Sequence, residues 1–220
     1  MVKQSQAVQT VIQSRITEKV LCTLEDRPPV PAEIESINRP IVQSALRNAG
    51  WAPFHYPRNV DGIAEPWRAT VLWNHEARAL SSHLSNTLQI TSKEPQLAAA
   101  CSALVIITWL PEPAPTSLGQ SDDPAVIRNE EHLAASSAMV QNFLLELTAH
   151  GFGNYWSSGG KLRSPELFKY MGIPTEERLL AAIFIEYPEM RMQGPDTTTR
   201  KQGAHREKRC QDWIRTCALS

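Results

Sequence analysis

Three side chains near the start of the chain could together hold an anion. Arg15, Thr17 and Lys19 alternate along the sequence, and alternate residues share a side only where a chain is extended or turning. A guanidinium and an ammonium group with a hydroxyl between them suit a phosphate. Taken alone, the same pattern is also explained by three solvated polar side chains, which is the simpler interpretation.

A second candidate site is an aromatic stretch that runs into very small residues. Asn154–Trp156 has the composition of a strand, and it is followed by Ser157, Ser158, Gly159 and Gly160. Turns built from such residues let main-chain N–H groups come close to a phosphate or an aromatic cofactor. An ordinary connection between a strand and the next element would have the same composition, so both interpretations stay open.

Other chemistries lack their sequence signatures. The GxGxxG, GxxxxGK and GxSxG patterns do not occur, which argues against Rossmann, P-loop and nucleophile-elbow enzymes. The four cysteines show neither CxxC spacing nor matching histidines. We therefore expect no metal site and no disulfide framework, and a reducing cytoplasm fits best.

Charge and hydropathy exclude further classes of function. The chain has 220 residues with 22 basic and 23 acidic side chains, a net charge of −1, which is not the pattern of a protein that binds nucleic acid or a membrane surface. The polar first residues do not resemble a signal peptide, and no stretch reaches the roughly 20 apolar residues of a membrane span.

Hydrophobic periodicity predicts the elements that must position these candidates. The most regular segment is a helix over residues 131–149 that is apolar nearly all round, as expected of a helix inside a protein. Residues 100–110 predict a strand that is apolar on both faces and therefore central in its sheet. The remaining predicted elements are helices over 6–19, 32–50, 77–90 and 164–171, and strands over 68–73, 154–156 and 179–187.

Two of these predictions carry details that a structure can test. In the helix over 32–50, Pro40 is expected to break or kink the backbone, and the side chains expected to face inward are Ile34, Ile37, Ile41, Leu46 and Ala49. The long loop over 54–67 contains His55, Arg58, Asn59 and Glu65, and a loop of this length is often functional.

Four segments, in this order, resemble the nitroreductase-like flavoprotein family. They cover roughly residues 11–188 and consist of Ser14–Lys19; Gly50–Pro53 with Glu65–Arg68; Gln141–Asn142 through Trp156 and Gly160; and Met171–Pro174 leading to Tyr187–Pro188. Each motif is weak by itself, but the ordered set is fairly specific.

The resemblance implies an α+β fold with a central, mostly antiparallel sheet flanked by helices, in a homodimer that binds FMN at its interface. It implies one domain over 1–220, with a core of about 8–188 and a C-terminal extension over 189–220 docked on the partner subunit. The implied reaction passes hydride from NAD(P)H through FMN to a small organic acceptor (nitroaromatic, quinone or enone-like). Since the flavin carries the redox step, no catalytic side chain is expected.

The resemblance also implies which residues bind the cofactor. Arg15, with the adjoining Ile16, would hold the FMN phosphate, Thr17 would lie beside the phosphate or ribityl chain, and Lys19 would reach the pyrimidine edge or the ribityl chain. Pro53, Phe54 and His55 would run along the flavin of the partner subunit. The flavin ring would be passed by Trp156, Ser157, Ser158, Gly159 and Gly160, and late phosphate cations would come from Arg200 and Lys201.

The chain departs from the family pattern around the substrate pocket. Phe54 and His55 stand where a serine is common, Glu65 where glutamine is common, and Glu186 where glycine is common. His55 is equally compatible with an exposed loop residue. Two other functions stay open: a biosynthetic flavin-dependent dehydrogenase or oxidase that uses oxygen instead of NAD(P)H, and a non-catalytic flavin-binding scaffold.

Overall fold

The computed structural model describes residues 2–113, 123–191, 199–202 and 214–217. Short 3-10 turns at Gly160–Arg163 and Pro188–Met190 supplement the regular elements. Those elements are α1 (Val2–Ser14), β1 (Glu18–Leu21), α2 (Ala32–Ala49), β2 (Trp67–Trp73), α3 (Asn74–Ser82, continued by a π-helical turn His83–Thr87), α4 (Glu94–Ala100), β3 (Ala103–Trp109), α5 (Pro124–Ala149), β4 (Gly153–Ser157), α6 (Pro165–Met171), β5 (Arg178–Glu186) and β6 (Thr199–Gln202).

The centre of the fold is a four-stranded sheet with the order β2-β3-β5-β4, in which each neighbouring pair is antiparallel. β3 and β5 are the inner strands, and Val105 lies opposite Ile183 in their register. Both residues are fully buried. The predicted α+β arrangement and the central position of β3 are confirmed.

Helices cover both faces of this sheet. Because successive residues of a strand point to opposite faces, Val105 packs with α2 and α5 on one side, whereas Leu104 and Ile106 pack with α3, α4 and α6 on the other. This two-sided burial explains why β3 reads as a continuous apolar run.

α5 is buried along one face only. Phe143 and Leu147 are fully buried, whereas Ala134 and Gln141 on the other side are exposed. The prediction of a helix enclosed on all sides is therefore wrong for the single chain. The helix begins at an Asp123 cap, whose carboxylate accepts a hydrogen bond from the Ala125 N–H at 2.8 Å, the usual stabilisation of free N–H groups at a helix start.

α2 differs from its prediction in two respects. The helix continues through Pro40, because packing of the buried Val42, Ala45 and Ala49 compensates for the single hydrogen bond that proline removes. Ile37 is 60% exposed. Asn38 takes the inward position instead, and its side-chain amide donates to the Ile34 carbonyl and to Glu189.

The first helix begins and ends earlier than expected, over Val2–Ser14 instead of 6–19. α1 ends at Ser14, and the chain becomes extended so that Lys19 lies in β1 rather than in the helix. The cause is pairing with β6, which returns from the C-terminal region of the same chain. In the C-terminal tail, Trp213 lies outside the described residues and Ile214 is 61% exposed. Docking of this tail on a partner subunit stays a prediction.

None of the helices within the described residues has the length and apolar character that crossing a bilayer requires.

Candidate functional site

β1 and β6 form a separate two-stranded sheet, the β1–β6 ribbon, that concentrates positive charge. Lys19 lies directly opposite Lys201, and Val20 lies opposite Arg200. Residues directly opposite each other in an antiparallel pair project from the same face, and like charges there repel. An anionic ligand between the two ammonium groups would remove that repulsion, so the ribbon fits the phosphate or the pyrimidine edge of a flavin nucleotide.

The ribbon is held against the edge of the main sheet. The Lys19 ammonium lies 5.1 Å from the centre of the Tyr155 ring on β4, a favourable cation–π distance. Beside it, the Nη2 of Arg191 donates to both carboxylate oxygens of Glu18, at 2.6 and 2.7 Å, and its Nη1 donates to the Gly151 carbonyl at 3.0 Å. Because both terminal nitrogens of the guanidinium are engaged, these contacts fix its orientation as well as its distance.

A buried ion pair fixes the connector that follows β1. The Arg27 guanidinium lies 2.7 Å from Glu186, the last residue of β5, and both side chains are almost fully buried. Arg27 also donates to the Met190 carbonyl at 3.1 Å. Glu186 stands where the family pattern commonly has glycine, and its role here is to neutralise Arg27, since an unpaired buried charge is strongly destabilising.

The small residues after β4 form a tight turn whose glycines are required by packing. Gly159 and Gly160 have φ angles of +95° and +51°, which side chains other than glycine rarely adopt. A methyl group on Gly159 would collide with Leu179, and one on Gly160 would collide with the Glu94 carboxylate. The sequence left open whether these glycines serve a close ligand or an ordinary connection, and in the structure protein groups occupy the space beside them.

Polar bonds fix the path of this turn. The Ser157 hydroxyl accepts the Gly159 N–H at 3.1 Å, and the Arg163 guanidinium donates to the Ser158 carbonyl at 2.5 Å. Ser158 and Gly160 are exposed, whereas Gly159 is buried. The turn therefore presents a defined outer surface on which a flat ligand could lie.

The residues from Pro53 to His55 belong to a different part of the molecule. Phe54 packs edge-on against Trp67 with ring centres 5.6 Å apart. The His55 Nδ1 lies 3.2 Å from Glu131 on α5, and the His55 side chain is 76% exposed. The loop behind them is fixed by Arg58, which donates to the Leu110 and Pro111 carbonyls at 3.0 Å. His55 is thus presented to solvent by a well-anchored loop.

The predicted site residues accordingly fall into two groups within one chain. The first comprises the segment 15–19 and the β1–β6 ribbon, which contacts β4 through Lys19 and Tyr155, and the turn over 157–160, which follows β4. The second comprises 53–55, beside α5. Trp156 packs on the α2 and α5 side of the sheet, whereas Tyr155 and Lys19 lie on the opposite side.

Three residues of this region were not identified from the sequence: Tyr155, Glu94 and Arg163. Tyr155 could have been recognised, because alternation in β4 puts it on the face opposite Trp156. Glu94 and Arg163 act on a turn through main-chain groups, and such contacts leave no pattern in a sequence.

The buried thiols are poor nucleophiles. Burial raises the pKa of the Cys22 thiol to about 11 and that of the Cys101 thiol to about 12. Both thiols are therefore protonated at neutral pH, and the thiolate is the reactive species. Cys101 is instead a small residue of the hydrophobic core.

Comparisons with known proteins agree on one family. The model of the Nitroreductase family matches residues 26–185. The Bacillus subtilis (strain 168) protein YfhC, provisionally named an NAD(P)H nitroreductase, is 26% identical over 157 residues, which are 70% of this chain and 76% of YfhC.

Solved structures show the same fold. A nitroreductase-like family protein from Bacillus cereus superimposes with a TM-score of 0.56 at 19% identity, over 92% of this chain and 94% of the other. A nitroreductase with bound FMN from Bacteroides fragilis NCTC 9343 superimposes with a TM-score of 0.51 at 15% identity, over 86% and 93% of the two chains.

Proposed function

Because the chain belongs to the nitroreductase family, we propose that it is an FMN-dependent oxidoreductase in which NAD(P)H reduces a small organic acceptor of the nitroaromatic, quinone or enone-like class. The observation that carries this proposal is the pairing of Lys19 with Lys201 on the β1–β6 ribbon. The names of the relatives support it, since one contains bound FMN and another is named for NAD(P)H.

The cationic residues of the β1–β6 ribbon and of the segment 15–19 would hold the cofactor by its phosphate end. Arg15, Thr17, Arg200 and Lys201 would bind the phosphate and the ribityl chain, and Lys19 would reach the pyrimidine edge. Residues 157–160 would pass the ring, whereas the side chain of Trp156 packs on the side of the sheet opposite Lys19. Bound flavin supplies the hydride chemistry, and the protein binds, orients and tunes it.

We propose that the second group completes this site in a homodimer, with residues 53–55 of one chain reaching the flavin of the other. An apolar groove of about 430 Å³ between α1, the end of α2 and α5 supports a subunit interface. Val8 and Ile12 line this groove and are 61% and 52% exposed in the single chain. Trp51, at the end of α2, is 89% exposed. Apolar surface of this extent usually marks an interaction site.

The proposal includes a reducing cytoplasm as the place of action, because Cys22 and Cys101 are free thiols inside the fold and disulfides are rare in that compartment. Sedimentation should show a dimer at micromolar concentration. A monomer would contradict both the interface and the shared site.

An anaerobic titration tests the reaction. The purified protein is loaded with FMN, freed of excess cofactor and titrated with NADPH, then with NADH, while the visible flavin absorbance is followed. We expect stoichiometric bleaching by one or both nucleotides and recovery when a quinone or nitroaromatic compound is added. Flavin that resists both nucleotides but is reduced by dithionite would favour the oxygen-using alternative. A protein that retains no FMN would contradict the proposed function.

A further inference from the structure

A carboxylate from outside the predicted site lies against the glycine turn. Glu94 is the first residue of α4, and its Oε1 accepts a hydrogen bond from the Lys161 main-chain N–H at 3.3 Å. The same oxygen lies so close to Gly160 that a methyl group there would displace the carboxylate. Glu94 is therefore in direct contact with the backbone that follows Ser157–Gly159.

The position of Glu94 is fixed by its own helix. Pro95, the next residue, is buried, and its carbonyl accepts a hydrogen bond from the Ser81 hydroxyl at 2.8 Å. Leu97 and Ala98 of the same helix are also buried. Because the backbone of this helix is anchored, Glu94 offers the turn a fixed point of attachment.

Two observations separate this contact from ordinary helix capping. An acidic residue at a helix start commonly binds free N–H groups of its own helix, but the Glu94 bond is made to Lys161, 67 residues away in sequence. In addition, Glu94 Oε2 is buried without a hydrogen-bond partner among the described residues. Because an unsatisfied buried oxygen destabilises a fold, its presence at this point calls for a role in the site.

We infer that Glu94 is a positioning residue for the turn over 157–161 and, through that turn, for the bound cofactor; this rests on the proposed function. Glu94 fixes the peptide between Gly160 and Lys161 from the side that faces α4, through its hydrogen bond with the Lys161 N–H. Together with the Ser157 hydroxyl and the Arg163 guanidinium, it holds the outer surface of the turn in one conformation before the cofactor arrives. Preorganisation of this kind strengthens binding by lowering the ordering cost.

The test compares Glu94→Ala with Glu94→Gln, which keeps an acceptor oxygen for the Lys161 N–H while removing the charge. Glu166→Ala is the matched control, because Glu166 is an exposed acidic residue in the first turn of α6. Hydrogen exchange of the amides over 157–161 is measured in flavin-free protein, and FMN affinity and the bound-flavin spectrum are measured separately.

We expect faster exchange of these amides in Glu94→Ala, with β3 unchanged, and FMN affinity reduced about tenfold, the effect of losing one orienting hydrogen bond. Glu94→Gln should restore most of both properties, and Glu166→Ala should change neither. A double variant provides a further check. Gly160→Ala should lower the free energy of unfolding less in Glu94→Ala than in the wild type, because the added methyl group no longer meets the Glu94 carboxylate.

The outcomes distinguish the inference from the proposed function. Unchanged exchange over 157–161 in Glu94→Ala would overturn the inference, whatever FMN does. Faster exchange with unchanged FMN affinity and spectrum would overturn the positioning role while leaving FMN binding, and with it the proposed function, intact. A wild-type protein that does not bind FMN would overturn the proposed function and the role of Glu94 toward the cofactor together.

Discussion

In the four-stranded sheet, the inner strands carry apolar residues on both faces, whereas the β1–β6 ribbon sets two lysines directly opposite each other. The sheet buries its side chains under helices on either side. The ribbon leaves Lys201 exposed and depends on polar contacts such as the Glu18–Arg191 pair.

This difference separates two tasks that the same chain must perform. Burial of apolar surface stabilises the fold without regard to any ligand. A like-charge pair does the opposite, since it lowers stability in the free protein and becomes favourable only when an anion binds. Substitutions in the sheet should therefore change stability, and substitutions in the ribbon should change cofactor binding.

The largest effect is expected in the core that covers the sheet. Phe143→Ala removes a fully buried ring from α5 and should lower the free energy of unfolding by about 3–5 kcal/mol, measured by urea denaturation. Gln141→Ala, an exposed position of the same helix, is the control and should change stability by less than about 0.5 kcal/mol. Equal losses in the two variants would contradict the assignment of α5 to the core.

The next effect concerns the phosphate. Arg15→Ala should reduce FMN binding by about 1.5–3 kcal/mol, the usual contribution of a hydrogen bond to a charged group. The flavin-to-protein ratio after dialysis measures retention. An unchanged ratio would mean that Arg15 does not belong to the site, and it would weaken the contrast between the ribbon region and the four-stranded sheet.

A smaller effect should distinguish binding from tuning. The positive charge of Lys19 favours the reduced, more negative flavin over the oxidised one. Lys19→Met keeps the length of the side chain but removes this charge. We expect the bound FMN potential to fall by tens of millivolts, where about 30 mV corresponds to about 1.4 kcal/mol for two electrons. A spectroelectrochemical titration decides the point. Loss of FMN at constant potential would make Lys19 a phosphate ligand instead.

The smallest predicted effect is a gain of stability in the flavin-free protein together with a loss of affinity for FMN. Lys201→Thr removes one member of the like-charge pair, so the flavin-free protein should gain about 0.2–1 kcal/mol of stability while FMN binds more weakly. Thermal unfolding with and without FMN measures both. A loss of stability in the flavin-free variant would show that Lys19 and Lys201 do not repel each other, and the electrostatic account of the ribbon would be wrong.

The sequence predicted the four strands of the sheet and most of its helices, because burial leaves long apolar patterns, but it did not predict the short helix α4. β3 and β5 were identified by runs of apolar residues, and α6 by the Ser164 cap, whose hydroxyl accepts the Leu167 N–H. The α2 stripe was misjudged at Ile37 because a buried asparagine, Asn38, satisfies its amide through partners that the periodicity does not show.

The candidate site was only partly predictable. Its charged residues could be named from the family resemblance, but β6 could not, since a four-residue strand of polar side chains forms only through its register with β1. The Glu94 contact with Lys161 could not be predicted for the same reason, because it depends on how α4 and the turn over 157–161 approach each other in space. Local patterns report burial, whereas long-range backbone pairing has no local signature.

The pairing of Lys19 with Lys201 also orders events during synthesis. The ribosome makes Lys201 about 180 residues after Lys19, which at about 5–20 residues per second is a delay of roughly ten to forty seconds. By then all four strands of the main sheet, which ends at Glu186, have already been made. β6 is thus the last of the described strands to be made, and β1 lacks a neighbour until every strand of the main sheet has been synthesised.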